Sequence, residues 1–259
     1  MKLTVVGCCG SGPGPDAPAS CYLVEHDGFR LVLDLGNGAF GALQGLIDPG
    51  SVDAVFLSHL HADHCLDVAP FVVWHRYSGR SPGRLVPLYA PVGAERRLAL
   101  AYDMDGDGLT DVFDFVPVGP GGFRLGPFDV QLARTAHPVE TYAIRLTAGG
   151  TSLVYTGDTG PCDRVVELAR GADVLLAEAA HPDNVPEQPP GLHLTGRQAA
   201  QHAAAAGVGR LLLTHVPPWV DHIGQLFAAS SVFSETELVR PGAVYDIWAA
   251  HPGDVGLPG

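Results

Sequence analysis

The sequence predicts an α/β fold in which two mixed sheets pack face to face and helices cover their outer faces. Runs rich in Val, Leu, Ile and Tyr alternate with segments of helical character along most of the chain. The chain has 259 residues, of which 46% are hydrophobic, so it can bury a large core. No long low-complexity linker divides it. We therefore expect one domain covering residues 1–259.

Strands are predicted where short apolar runs are bounded by turn residues. In chain order these runs are Met1 to Gly7, Ser20 to Glu25, Arg30 to Leu35, Ala54 to Ser58, Arg84 to Tyr89, Asp129 to Ala136, Thr141 to Thr147, Ser152 to Thr156, Val174 to Glu178 and Arg210 to Thr214. Helices are predicted for Leu66 to Ser78, Ala94 to Tyr102, Pro161 to Arg170 and Thr195 to Ala206. The last helix has Thr195 as its N-cap and Gly207 as its stop signal.

The most informative stretch is His59-Leu60-His61-Ala62-Asp63-His64, which follows the apolar run 53–58. If that run is a buried strand, His59 and His61 keep its alternation and project to the same side just beyond its end. Asp63 and His64 then fall in the following turn. Because imidazole and carboxylate are ligands of divalent transition metals, the stretch predicts a metal site.

Three further candidate ligands each stand at the end of an apolar run. They are His137, Asp158 and His215. Ligands and catalytic groups usually collect where the strands of a rigid sheet give way to loops. Taken singly, each of the three is more typical of a turn residue, but their recurrence at strand ends indicates one shared site.

The order His-x-His-x-Asp-His, lone His, Thr-Gly-Asp-Thr, lone His resembles the motifs of the metallo-β-lactamase superfamily over nearly the whole chain. The resemblance implies a four-layer αβ/βα sandwich with two divalent ions at one edge. It implies one ion held by His59, His61 and His137, a second held by Asp63, His64 and His215, and Asp158 bridging the two. Zinc is favoured, and manganese and iron(II) are alternatives. Leu31-Val32-Leu33-Asp34-Leu35-Gly36 resembles the first motif, so Asp34 is expected to support the metal loop.

Two more residues come from a resemblance to the phosphodiesterase branch that includes ribonuclease Z. Gly191-Leu192-His193-Leu194-Thr195 is similar to an element of that branch, which implies that His193 holds a phosphate oxygen or protonates the leaving alkoxide. Glu178, after a buried strand, is expected to orient His193. Without the resemblance, His193 could be a helix cap or a surface residue, and Glu178 could be a carboxylate that faces water at the end of a strand. Asp63, His193 and Glu178 are the candidate catalytic residues.

The substrate expectation also comes from resemblance. Asn37-Gly38, the run 71–74 and the run 214–219 look closest to atypical, ribonuclease Z-like bacterial cyclic-AMP phosphodiesterases. This implies a 3′,5′-cyclic nucleotide, with Trp74 and Trp219 as candidate platforms for a purine, although an aromatic in an apolar helix such as Trp74 is more often a core residue. One alternative is the tRNA 3′-end endonuclease activity of ribonuclease Z, although its long tRNA-binding arm is not evident. Another is thioester or lactone hydrolysis of the glyoxalase II type, for which His193 would be dispensable.

The net charge and the placement of the arginines limit which partners are expected. A net charge of −13 disfavours a long polyanion such as nucleic acid, because affinity grows with the phosphates neutralised. Five arginines nevertheless follow the metal loop, namely Arg76, Arg80, Arg84, Arg96 and Arg97. They are candidates for attracting a small anionic phosphodiester, with a solvated surface as the alternative. No membrane partner is expected, and a homodimer is allowed because dimers are common among relatives.

Other features are expected to be structural. Five cysteines with no zinc-finger pairing and no signal peptide indicate reduced thiols and a cytoplasmic protein. The acidic run from Asp103 to Asp114 imitates an EF-hand loop, but Asp at position 12 and Thr at position 8 argue against calcium and favour an acidic surface loop. The glycine-rich turn 7–12 is not a P-loop, although Ser11 is a candidate for shaping a pocket.

Overall fold

Two mixed sheets packed face to face form the centre of the molecule, and helices cover their outer sides. The computed structural model describes residues 1–81, 83–105, 107–183, 185 and 189–248. Within these ranges each sheet has seven strands. This arrangement confirms the predicted fold class.

The strands, in chain order, are β1 (Lys2–Gly7), β2 (Cys21–His26), β3 (Phe29–Leu33), β4 (Ala54–Phe56), β5 (Val86–Ala90), β6 (Phe113–Pro117), β7 (Gly121–Leu125), β8 (Phe128–Arg134), β9 (Tyr142–Ala148), β10 (Thr151–Tyr155), β11 (Val174–Glu178), β12 (Arg210–Thr214), β13 (Thr236–Leu238) and β14 (Val244–Asp246). The helices are α1 (Ala39–Gln44), α2 (Ala62–Cys65), α3 (Val68–Tyr77), α4 (Ala94–Ala101), α5 (Asp163–Ala169), α6 (Gly196–Ala206) and α7 (His222–Ser230), with a 3-10 turn at Pro49–Ser51.

The two sheets share a pattern of antiparallel strands on one side and parallel strands on the other. The first sheet has the order β14-β1-β2-β3-β4-β5-β6 and is parallel from β3 to β6. The second has the order β13-β12-β11-β10-β9-β8-β7 and is parallel from β10 to β13. Because the carboxyl ends of parallel strands meet at one edge, the residues that follow β3, β4, β10, β11 and β12 are brought together there.

The apolar core lies in three layers. Between the sheets, Tyr22 and Phe56 of the first pack with Tyr155 and Leu212 of the second. A second layer lies between the first sheet and α1, α3 and α4, and a third between the second sheet and α6. None of the helices in the described ranges combines the length and apolar character that crossing a lipid bilayer would require.

All the predicted strands are present, and their ends differ from the prediction by at most two residues. Thr195 caps α6 through a capping box with Gln198, and Gly207 ends the helix with φ of 64°. The turn predicted for Asp63 and His64 was wrong, because both lie in the short helix α2. Strands β6, β7, β13 and β14 and helices α1 and α7 were not predicted.

Backbone strain occurs at two positions beside the predicted ligands. Asp34, after β3, has φ of 58°, and His215, after β12, has φ of 55°. Non-glycine residues in this left-handed region are uncommon and are retained only where the surrounding structure holds them. Both side chains are fully buried. Because Asp34 follows β3 and His215 follows β12, the strain is located at the edge where these strands end.

Candidate metal centre

The seven predicted ligands lie together at the shared edge of the two sheets. They form two groups in which the nitrogen and oxygen atoms lie within 4.8 Å of one another. We name His59, His61 and His137 the first ligand group, and Asp63, His64 and His215 the second ligand group. Asp158 belongs with the first group and also lies close to His215.

The first ligand group consists of imidazoles that face one another. His61 Nδ1 is 3.0 Å from His59 Nε2 and 3.3 Å from His137 Nε2. The opposite nitrogens meet protein oxygens: His59 Nδ1 lies 3.1 Å from Ser58 Oγ, and His137 Nδ1 lies 2.9 Å from the carbonyl oxygen of Leu192. Such contacts fix the orientation and tautomer of metal-binding histidines.

The second ligand group is built in the same way around a carboxylate. Asp63 Oδ2 is 3.5 Å from His64 Nε2 and 3.7 Å from His215 Nε2. His64 Nδ1 lies 2.8 Å from Asp34 Oδ2, and His215 Nδ1 lies 2.8 Å from Ser20 Oγ. Asp34 thus supports the metal loop directly, at the place that the sequence indicated.

Asp158 lies between the groups and offers one oxygen to each. Its Oδ1 is 3.2 Å from His64 Nε2 and 3.4 Å from His215 Nε2, whereas its Oδ2 is 3.6 Å from His59 Nε2. Burial alone would raise the pKa of Asp158, but the neighbouring histidines hold it well below its ordinary value. The carboxylate is therefore ionised and available to two cations.

These residues fit divalent metal ions. Among the described residues, four buried side-chain nitrogen or oxygen atoms lack a hydrogen-bond partner, and three of them are His64 Nε2, His215 Nε2 and Asp158 Oδ1. Buried polar atoms are rarely left unpaired, so three that converge on one point indicate a missing ligand. Burial lowers the pKa of His215 to about 4, which leaves its lone pair free. Burial opposes the charged form of His64 as well, but Asp158 and Asp34 raise its pKa well above the ordinary value, so a cation must displace a proton there.

His193 and Glu178 form a buried pair beside this centre. His193 Nδ1 lies 2.9 Å from Glu178 Oε1 and 3.9 Å from Asp158 Oδ2. Glu178 is 0% exposed and accepts further hydrogen bonds from the backbone N–H groups of Thr159 and Ala180. Burial alone would lower the pKa of His193, but Glu178 raises it to about 9. The alternative of a water-facing carboxylate at position 178 is wrong.

A cavity of about 540 Å³ opens beside His193. Its lining includes Ser11, His181, His193, Trp219 and Asp221. The His181 ring lies 5.1 Å from that of His193, a position that was not predicted for it. The one sequence feature that could have indicated a place near the site is that His181 lies three residues beyond Glu178, after a buried strand.

Two sets of candidate substrate contacts lie away from this cavity. Trp74 is only 8% exposed and packs in the core near Phe71, so it is not a platform in this cavity. The five arginines are absent from the cavity lining, and some of them form ion pairs elsewhere. Arg76 pairs with Asp111, and Arg84 lies 2.9 Å from Asp53.

The EF-hand-like run and the cysteines contribute none of the seven ligands. The EF-hand-like run includes Gly106, which lies outside the described residues, and its ninth position, Asp111, is engaged by Arg76. All five cysteines are free thiols, and Cys65 is fully buried in the core.

Comparisons with known proteins agree with this geometry. A family model described as the beta-lactamase superfamily domain matches residues 30–216. The uncharacterized protein ML1173 of Mycobacterium leprae is 46% identical over 266 residues, covering 100% of this chain and 90% of its own. Ribonuclease Z of Mycobacterium bovis is 29% identical over 245 residues, covering 84% of this chain and 86% of its own.

A third relative has a solved structure. The probable metallo-hydrolase YhfI of Bacillus subtilis is 31% identical over 251 residues, covering 95% of this chain and 100% of its own. Its crystal structure aligns with a TM-score of 0.85 at 29% identity, over 94% of this chain and 98% of that one. The chain therefore belongs to the metallo-β-lactamase superfamily, as a metallo-hydrolase related to ribonuclease Z.

Proposed function

We propose that this protein is a dinuclear metal-dependent phosphodiesterase whose preferred substrate is a 3′,5′-cyclic nucleotide such as cyclic AMP. The observation that carries the proposal is the His193–Glu178 pair, 2.9 Å apart, in which His193 lines the cavity and lies 3.9 Å from Asp158. A phosphodiester releases an alkoxide, which needs a proton as it departs, and this pair is suited to provide one.

The first ligand group would hold one ion, the second ligand group would hold the other, and Asp158 would contact both. When bound, two divalent ions supply Lewis acidity to the phosphoryl group and a water-derived nucleophile at neutral pH. Zinc suits this mixture of nitrogen and oxygen ligands, as do manganese and iron(II).

His193 acts on the leaving group in this proposal. Its Nδ1 is engaged by Glu178, so Nε2 is the nitrogen left for the substrate. Glu178 raises the pKa of His193 in the metal-free protein to about 9, which favours the protonated imidazole. It therefore donates a hydrogen bond to a phosphoryl oxygen or transfers the proton to the departing oxygen. Glu178 acts through His193 and is a positioning residue. Asp63 belongs to the second ligand group and is proposed to act there.

The cavity favours a small substrate with a flat ring. A volume of about 540 Å³ lies within the range typical of small-molecule sites. Trp219 is 74% exposed in its wall and offers a face on which a base can stack. Neither Lys nor Arg contributes to the described lining, which disfavours a polyanion.

The second candidate is endonucleolytic cleavage at a tRNA 3′ end. The similarity to ribonuclease Z of Mycobacterium bovis supports it. The net charge of −13 argues against it, because RNA binding depends on neutralising many phosphates.

A substrate panel tests the proposal. The purified protein is assayed with cyclic AMP, bis-p-nitrophenyl phosphate, a precursor tRNA and a thioester, each with and without chelator. We expect chelator-sensitive hydrolysis of cyclic AMP and of bis-p-nitrophenyl phosphate. Cleavage of the precursor tRNA with no turnover of cyclic AMP would favour the second candidate, and activity on the thioester alone would overturn phosphodiester hydrolysis.

A further inference from the structure

Two tyrosines, one from each sheet, each form a hydrogen bond with a residue of the opposite sheet near the second ligand group. Tyr22, on β2 of the first sheet, lies with its hydroxyl 2.7 Å from Thr214 Oγ1 at the end of β12 in the second sheet. Tyr155, at the end of β10 in the second sheet, donates to Asp34 Oδ2 at 2.7 Å, beyond β3 of the first sheet. Each hydroxyl therefore connects its own sheet to the opposite sheet.

The two rings form a rigid pair in the inter-sheet core. Tyr22 is 0% and Tyr155 is 1% exposed, and their ring centroids lie 4.9 Å apart with the planes tilted by 55°. Tilted aromatic pairs at this distance attract one another beyond simple burial. A Phe at either position would keep the ring packing and remove only the hydroxyl.

Each hydroxyl leads to one histidine of the second ligand group. Asp34 Oδ2, which accepts from Tyr155, is the atom that lies 2.8 Å from His64 Nδ1. An imidazole presents Nε2 to a metal when Nδ1 carries the proton, so Asp34 must accept from His64. Loss of the Tyr155 hydroxyl would remove one donor from the fully buried Asp34 carboxylate, which would then be positioned toward His64 only by its contacts with Ser58.

The Tyr22 hydroxyl reaches His215 by two routes. Thr214 immediately precedes His215, whose strained backbone requires its neighbours to be fixed. In addition, Tyr22 donates to Ser20 Oγ at 3.5 Å, and the same Oγ lies 2.8 Å from His215 Nδ1. Tyr22 and Tyr155 thus reach His215 and His64 through one intervening residue each.

The first ligand group is supported differently. His137 is oriented by the Leu192 carbonyl, and His59 by Ser58 Oγ. Ser58 also donates to Asp34, so His59 is one hydrogen bond further from Tyr155 than His64 is. We infer that Tyr22 and Tyr155 are positioning residues that selectively set the second ligand group of the metal centre. The inference rests on the ligand set of the proposed function and not on its substrate.

The test measures metal binding without any substrate. Tyr22→Phe, Tyr155→Phe and the parent are titrated with Zn²⁺ against a chromophoric chelator, and bound Co²⁺ is followed by absorption. We expect each variant to weaken one of the two binding steps by about 10- to 100-fold while the other step stays as in the parent. The absorption of one Co²⁺ equivalent should change in parallel.

Tyr245→Phe is the matched control. The Tyr245 hydroxyl also donates to a carboxylate, that of Glu237, but it lies beside Arg210 at the opposite end of β12 from Thr214. This variant should bind two ions like the parent. The inference is overturned if Tyr22→Phe and Tyr155→Phe bind both ions with parental affinity, or if both steps weaken equally.

Circular dichroism of the metal-free variants checks folding. If Tyr22→Phe does not fold, Thr214→Val removes the 2.7 Å contact with Tyr22 from the other side and should weaken the same single step. Unchanged binding in Thr214→Val would equally overturn the role of Tyr22. Because the titration needs no substrate, a failed cyclic-nucleotide assay leaves its result intact, and the two failures are distinguishable.

Discussion

The side-chain amide of Gln225 donates a hydrogen bond to the backbone carbonyl of His181. The same nitrogen donates to the carbonyl of Ala179, and the amide oxygen accepts from the N–H of Gly196 at 2.8 Å. Gln225 is 2% exposed and belongs to α7. One buried side chain therefore holds together the two chain segments that carry His181 and His193.

Replacing Gln225 with Ala should loosen these segments without removing a metal ligand. The buried carbonyl and N–H groups would lose their partner, at a cost of about 1 to 3 kcal/mol in the free energy of unfolding. We expect a lower kcat with two ions still bound, measured by steady-state kinetics and elemental analysis. Gln201→Ala, on the exposed side of α6, is the matched control and should behave like the parent. Parental kcat in Gln225→Ala would contradict this role.

His193→Ala tests the proton donor. We expect kcat on cyclic AMP to fall by about 10²- to 10⁴-fold, because the alkoxide then leaves without a proton. With bis-p-nitrophenyl phosphate the loss should be smaller, since p-nitrophenolate is a stable anion. Metal content, determined on the same samples, should remain that of the parent. Equal losses on both substrates would show that His193 does not act on the leaving group.

Removing the metals should abolish activity and lower stability. The three unpartnered buried atoms at the centre are left without compensation in the metal-free protein. A ligand present at 100 times its Kd stabilises the folded state by about 2.7 kcal/mol, so the thermal midpoint should rise when Zn²⁺ is restored. Chelation followed by differential scanning calorimetry and activity assays measures both. Full activity after verified removal of metal would exclude a metal-dependent reaction.

Trp219→Ala tests the proposed base platform. Because Trp219 is 74% exposed, its loss should change the free energy of unfolding by no more than about 0.5 kcal/mol. Stacking contributes about 1 to 3 kcal/mol per base, so KM for cyclic AMP should rise about 5- to 150-fold. KM for bis-p-nitrophenyl phosphate should change less. Trp248→Ala, in which a 75% exposed Trp outside the cavity lining is removed, serves as the control. Similar KM values in the two variants would argue against stacking.

His202 predicts a pH dependence of stability that is separate from the metal centre. Its Nε2 accepts from the N–H of Cys162 at 3.0 Å and its Nδ1 donates to the carbonyl of Gln198 at 2.8 Å. Burial lowers the pKa of His202 below its ordinary value of 6.5, so the unfolded chain takes up this proton first as the pH falls. The stabilisation is present above pH 6.5 and is lost on acidification.

His202→Gln should remove part of this dependence. In urea titrations of the metal-free protein, the slope of unfolding free energy against pH below 6.5 should decrease by at most about 1.4 kcal/mol per pH unit, which corresponds to one proton. Identical slopes in the variant and the parent would contradict a neutral His202 in the folded state.

The strands and the metal loop were predictable because their signals are local. The buried strands β10, β11 and β12 are continuous apolar runs, and His59 to His64 concentrates four potential ligands in one stretch. Strands β13 and β14 have three residues each and are only partly buried, so they carry too few apolar positions for a periodic pattern. Helix α7 exposes the apolar residues Ile223 and Phe227, so the pattern of apolar residues in its sequence does not mark the buried face.

The sequence by itself determined which side chains are available to bind metal and that they lie in segments that follow strands. The tertiary structure decided how those side chains are held. Tyr22 meets Thr214 across 192 positions, and Tyr155 meets Asp34 across 121. Gln225 bonds His181 across 44. The two tyrosine contacts depend on how the sheets pack face to face and the Gln225 contact on where α7 lies, because the period of a strand fixes which face a residue occupies and not which residue it will meet.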